Sequence, residues 1–154
     1  MIWFKDYKID DLQDLRSANM GEHIGFEFLE IGDDFLTGRI PVDHRTTQPF
    51  GILHGGASCV LAETLGSVAA WMTIDPDKYR AVGLEINANH IRAVMQGFVV
   101  GTCSLLHVGR RTQVWQIDMM EEATGKRTAL SRLTVAVIDQ GTLSVQKVPV
   151  HLDL

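Results

Sequence analysis

The stretch "QPFGILHGGASCVLAETLGSVAAWM", residues 48–72, decides how the rest of the chain folds. From Gly56 to Met72 it reads as one helix of apolar and small residues, and its only charge is Glu63. A helix apolar nearly all round belongs inside a protein, so other elements must surround it. What flanks it therefore sets the architecture.

Upstream, "IGFEFLEI" (24–31) and "FLTGRIPV" (35–42) flank "GDD", the pattern of a hairpin turned by Gly and Asp. Before them, "IDDLQDLRSA" (9–18) carries Ile9, Leu12 and Leu15 at helical spacing behind early acids, which predicts a short N-terminal helix. Downstream, "RAVGLEINANHIRAV" (80–94) alternates, with Val82, Leu84, Ile86 and Ala88 expected on one face. "GFVVGTCSLLHVG" (97–109), "TQVWQIDMMEE" (112–122) and "KRTALSRLTVAVI" (126–138) follow as strands, the last pair joined by the turn "ATGK". The order is hairpin, long helix, four strands. One major helix between them excludes repeated βαβ units, so the expected class is α+β, an antiparallel sheet wrapped around the helix.

Size and composition agree with a single compact unit. The chain has 154 residues, 45% hydrophobic and 21% charged, within the range of globular domains. No run reaches the ~20 apolar residues of a membrane span, and the first residues lack the apolar core of a secretory signal. A cytoplasmic protein is expected. Lys and Arg number 14 against 19 Asp and Glu, and this net charge of -5 argues against a nucleic-acid surface. Cys59 and Cys103 are far apart, without metal or redox spacing, and read as buried small hydrophobes.

Glu63 needs an explanation, because stripping a carboxylate of water costs several kcal/mol unless the site compensates. Ser67, four residues on, shares its helix face, and no base lies within a turn or two. The first-turn amides at "HGG" lack intrahelical acceptors and sit at the positive end of the helix dipole, so Gly55 and Gly56 offer donors to an oxyanion. Yet Gly55 and Glu63 are eight residues apart, about 12 Å along a helix. Reacting groups must converge within roughly 3–3.5 Å. If both act on one carbonyl, Glu63 must come from a second copy, its helix antiparallel to the first at a two-fold axis.

"QPFGILHGGASCVLAETLGSVA", with "VGLEINANHIR", "LHVGRRTQVWQI" and "SRLTVAVI", resembles the hotdog-fold acyl-CoA thioesterases of the PaaI-like group, from Met1 to about Ile138. The resemblance implies a hotdog domain over 1–138, with 139–154 an extension of unknown role. It implies a homo-oligomer, a dimer with shared sites and a tetramer built from it. It also implies an aromatic CoA thioester as substrate, such as the 1,4-dihydroxy-2-naphthoyl thioester of menaquinone synthesis; a proofreading or broad aryl- and acyl-thioesterase is the alternative. Glu63 would attack the thioester carbonyl or activate water, and the Gly55 amide would polarise the thioester oxygen. Gln48 and His54 would position the reacting groups, and Ser67 would hold Glu63 or the water. Val82 and the segments Asn89, His90, Ile91, Arg92 and Leu106, His107, Val108, Gly109, Arg110, Arg111 would line the coenzyme and acyl sites, with Arg92, Arg110 and Arg111 on phosphates. No metal or cofactor is implied, coenzyme A being part of substrate and product. Two rivals remain: a hydratase or dehydratase using His54 with an acid, and a noncatalytic acyl-CoA-binding module.

Overall fold

The computed structural model describes residues 1–13, 15 and 19–142. Two short helices, α1 (Ile9–Gln13) and α2 (Met20–His23), precede the hairpin β1 (Glu27–Ile31) and β2 (Phe35–Pro41). The long helix α3 (Gly55–Met72) follows, then β3 (Tyr79–His90), β4 (Phe98–Val108), β5 (Thr112–Glu121) and β6 (Arg127–Asp139), closed by a 3-10 turn at Gln140–Thr142. The strands form one antiparallel six-stranded sheet in the order β1-β2-β4-β5-β6-β3. The expected sheet around a central helix is present. No helix among the described residues is long and apolar enough to cross a membrane.

α3 begins one residue earlier than the expected Gly56, because His54 caps it in an extended conformation with its Nδ1 accepting from Gly56 N at 2.8 Å. Thr73 closes the other end, its Oγ1 donating to Ala70 O at 2.8 Å. Leu61, Ala62, Leu65, Ala69 and Ala70 are fully buried against the sheet, beside Leu133, Ile117 and Trp115. Each such leucine contributes about 1.5–3 kcal/mol by leaving water. Close approach depends on glycine: a Cβ at Gly66 would lie 2.5 Å from Leu133 Cδ2, and one at Gly101 2.7 Å from Leu65 Cδ1. The wrapping is one-sided, however. Cys59, Val60, Glu63, Thr64, Ser67 and Val68 on the outer face stay half-buried, so the surplus of apolar residues there faces clefts, and Cys59 is not the buried residue expected. Cys103 is buried, and burial pushes its thiol pKa up.

Of the expected N-terminal helix, the stretch Ile9–Gln13 is described, with Leu12 buried, while Leu15 is 44% exposed; residues 14 and 16–18 lie outside those described. Another expectation needs correction. In β3 the register slips between Gly83 and Glu85, leaving Leu84 as a bulge. Side chains directly opposite each other share a face of the sheet. Ile86 lies opposite buried Leu133 and Ala88 opposite buried Ser131, whereas Val82 lies opposite Ala136, beyond the slip. The bulge thus puts Val82 on the face opposite Ile86 and Ala88, and alternation could not show it. Gly83, opposite buried Val135, turns inward toward α3. The tail positions Val145, Val148 and Val150 lie outside the described residues.

Candidate active site

The loop before α3 is a compact turn. Gly51 adopts φ 76, Gln48 N donates to Ile52 O, and Gln48 Oε1 accepts from Phe50 N at 3.0 Å. Leu53 N then ties to Val94 O and His54 N to Thr46 O, which sets the helix start beside the end of β3. Between them opens a cleft of about 550 Å³ lined by Gln48, His54, Gly55, Ser58, His90 and Arg92 among others. Gly55 N has no acceptor among the described residues, as expected of the first amide of a helix. The His90 ring lies beside this glycine, since a Cβ on Gly55 would stand 2.9 Å from His90 Nε2. Here the structure brings together Gln48, His54, Gly55, His90, Ile91 and Arg92, all expected at the site.

Glu63 does not share that cleft. It opens into a separate, mostly apolar one of about 320 Å³, lined by Met20, Cys59, Val60, Thr64 and Ile86. Ser67 Oγ donates to Glu63 Oε1 at 3.1 Å, and no ion pair among the described residues involves Glu63. Gly83 leaves room for this carboxylate, since a Cβ there would come within 2.5 Å of Glu63 Oε1. The two clefts have no lining residue in common. That matches the helical spacing of about 12 Å, with the helix-start amide in one cleft and the carboxylate in the other.

The basic segments are also divided. Ile91 N and Arg92 N both donate to Thr128 O near the start of β6, whereas Arg111 O accepts from Val137 N near its end. Arg110 and Arg111 line a third cleft of about 170 Å³ with Tyr79, Val137 and Asp139. From Thr128 to Val137 is nine residues, about 30 Å of strand. One chain therefore cannot close Arg92 and Arg110 on the same phosphate. Leu106 and Val108 are exposed, Leu106 forming a bulge between Leu105 and His107, and His107 Nε2 would lie 2.9 Å from a Cβ on Gly109. Val82 is 40% exposed and Asn89 is exposed.

Sequence reasoning passed over Gly83, Met20, Thr64 and Ile86 as neighbours of Glu63. Thr64 and Val60 were visible at i+1 and i−3, but Gly83 and Met20 reach Glu63 only through the β3 bulge and the placement of α2.

A family model described as "Thioesterase superfamily" matches residues 50–128. The chain is 47% identical over 138 residues to a 1,4-dihydroxy-2-naphthoyl-CoA hydrolase of Escherichia coli, covering 90% of this chain and 100% of the relative. It is 48% identical over 138 residues to a proofreading thioesterase of Cronobacter turicensis, covering 90% and 99%. Among solved structures, a thioesterase from Haemophilus influenzae superposes with a TM-score of 0.87 at 44% identity, covering 90% of this chain and 96% of that one. A mutant thioesterase from Pseudomonas aeruginosa gives a TM-score of 0.88 at 41% identity, covering 90% and 99%.

Proposed function

This chain belongs to the thioesterase superfamily and is a thioester hydrolase, and from that premise we propose that it cleaves an aromatic acyl-CoA, of the 1,4-dihydroxy-2-naphthoyl kind, at sites shared by two subunits. The observation that carries the shared site is the separation of Gly55 and Glu63 into two clefts although they belong to one helix. β3 supports it. This strand of 12 residues lies at the sheet edge, with Val82 and Leu84 exposed, and an uncovered edge of that length is a template for pairing. Two-fold pairing of β3 with its copy sets the Tyr79 end of one strand beside the His90 end of the other. The Arg110 and Arg111 cleft of one subunit then neighbours the Arg92 cleft of its partner, and the α3 start of one approaches the α3 midpoint of the other. A dimer is the minimal active unit in this reading, and a tetramer is two such dimers.

In the reaction, the Gly55 amide and the positive end of the α3 dipole draw charge toward the thioester oxygen. Gln48 and His54 hold the thioester in the same cleft. Glu63 of the partner subunit, held by its Ser67, attacks the carbonyl or takes a proton from the attacking water. Direct attack breaks the C–S bond, expels the coenzyme A thiolate, which takes up a proton, and leaves an acyl anhydride on Glu63 that water then hydrolyses. With Glu63 as base, water adds to the carbonyl and its proton goes to the departing thiolate, and either route ends in the free acid. Water, a carboxylate and backbone donors suffice, so we assign no metal or cofactor. His90, Ile91 and Arg92, with Val82, Asn89 and Leu106 to Arg111, form the coenzyme channel. We further propose a cytoplasmic enzyme of menaquinone synthesis, the role implied by the resemblance to naphthoyl-CoA thioesterases. A proofreading or broad-specificity role is the second reading, favoured by the equal similarity to the Cronobacter protein.

Thiol release from a panel of aromatic and aliphatic acyl-CoAs, including 1,4-dihydroxy-2-naphthoyl-CoA, tests the assignment. Glu63→Gln should abolish release, and retention within a few-fold would refute the role of the carboxylate. Gly55→Pro removes the amide at the first helical position, where the proline backbone fits, although its Cβ must displace the His90 ring that stands 2.9 Å away. Both single variants should be inactive, and mixing them with confirmed subunit exchange should restore activity at one site per mixed dimer. No recovery would refute the shared site.

A further inference from the structure

The Glu63 cleft does not end at Glu63. A second, mostly apolar cavity of about 190 Å³ adjoins it, lined by Asn19, Met20, Gly21, Phe28, Thr64 and Val68 with Leu15. Met20 and Thr64 line both. Together the two run along the outer face of α3 from Cys59 to Val68, about 14 Å at 1.5 Å per residue. From Glu63 to Val68 the reach is about 8 Å. α2 roofs the far part. Its cap residue Asn19 spends its amide locally, accepting from Gly21 N at 2.9 Å and donating to Leu15 O at 2.7 Å. Among the described residues, Glu63 is the only charged one that lines either cavity.

We propose that the acyl group of the substrate extends past Glu63 beneath α2, and that Met20 is the specificity-determining residue that sets how far it reaches. This rests on the reading of Glu63 as the working carboxylate. A thioester carbonyl placed at Glu63 must send its acyl substituent into the adjoining apolar space. The far cavity is that space, and Met20 stands on the boundary. Met20 is 63% exposed, with an unbranched side chain that can swing without disturbing the core. With Met20 across the boundary, the near cavity accepts a compact, flat acyl group. With Met20 aside, the two cavities join and a long aliphatic chain fits.

The test compares Met20→Ala and Met20→Trp on benzoyl-CoA and decanoyl-CoA by thiol release. A methylene-sized change in an apolar pocket alters selectivity by tenfold or more. Met20→Ala should raise the ratio of kcat/KM for decanoyl- over benzoyl-CoA about tenfold, and Met20→Trp should lower it by a similar factor. Ratios within twofold of wild type in both variants, or shifted in the same direction, overturn the proposal. Glu63→Gln run on the same two substrates separates the two readings. Full activity in that variant refutes the carboxylate itself, whereas its inactivity beside unmoved Met20 ratios refutes only the groove.

Discussion

Gly83→Ala should disable the enzyme while leaving the fold intact. The new Cβ would stand 2.5 Å from Glu63 Oε1, 3.5 Å from its Cδ and 3.7 Å from Oε2. Ordinary contact begins near 3.4 Å, so the nearer oxygen must retreat by about 0.9 Å, the difference between 3.4 and the observed 2.5. That oxygen is also the one bonded to Ser67 at 3.1 Å, so the displacement stretches or breaks the bond that orients the carboxylate. The obstructed group is the end of a flexible side chain facing a cleft, and it can move without disturbing the core. Stability should fall by less than about 1 kcal/mol, the scale of a surface substitution. Catalysis is less tolerant, since a misplacement of about 1 Å costs on the order of 100-fold. The assay is kcat for thiol release from saturating aromatic acyl-CoA, with a urea midpoint measured alongside. A kcat within threefold of wild type at unchanged stability would refute the argument, because the reacting oxygen could not then be the one held between Gly83 and Ser67.

Other perturbations act on the frame. Gln113 is buried, donating through Nε2 to Thr73 Oγ1 at 2.9 Å and accepting from Trp115 Nε1 at 3.0 Å. Gln113→Ala leaves that indole N–H without a partner and opens a void, so unfolding should become easier by about 2–3 kcal/mol in a urea titration. His54→Ala deletes the acceptor for Gly56 N and should destabilise by about 1 kcal/mol by the same measure, together with the loss of activity expected of a residue in the cleft. The hydrogen bond from the Arg45 side chain holds the Asp43 carboxyl at about 2, against an ordinary 3.8. A carboxyl pKa lowered by folding stabilises fully above about pH 4 and stops doing so as the pH falls through about 2. Because the pair is a third exposed, Asp43→Asn should lower stability by about 1 kcal/mol or less at pH 7, and that gap should close on acidification.

The fold was legible wherever one local rule governed. β4, β5 and β6 alternate without interruption over most of their length, and β6 shows it plainly, with Ala129, Ser131, Leu133, Val135 and Val137 all facing inward. α3 announced itself by composition. What escaped was non-local. The β3 bulge at Leu84 leaves no mark in the residue pattern, since "VGLEINA" reads as clean alternation, yet it reverses the face on which Val82 lies and turns Gly83 toward the carboxylate. α2 escaped for the opposite reason. Four residues, Met20–His23, make too short a segment for periodicity to register, and its role as a roof follows from where the chain returns over α3.

The site residues on α3 were readable for a geometric reason. A straight helix converts sequence separation into distance at a fixed rate, so the eight residues between Gly55 and Glu63 translate directly into about 12 Å. The clefts then add the orientation that spacing lacks. Gly55 faces His90 and Glu63 faces Gly83, and these two neighbours belong to the same strand, seven residues apart, about 23 Å of chain. Helix and strand thus separate the two half-sites together, and no side-chain movement can unite them within one subunit. Only a second copy running the other way cancels both offsets at once, because reversing α3 and β3 about one axis exchanges their ends. A monomeric variant, made by placing a charge at exposed Leu84, should therefore lose hydrolysis entirely while keeping its fold, and an active monomer in sedimentation and thiol-release assays would refute the two-chain site.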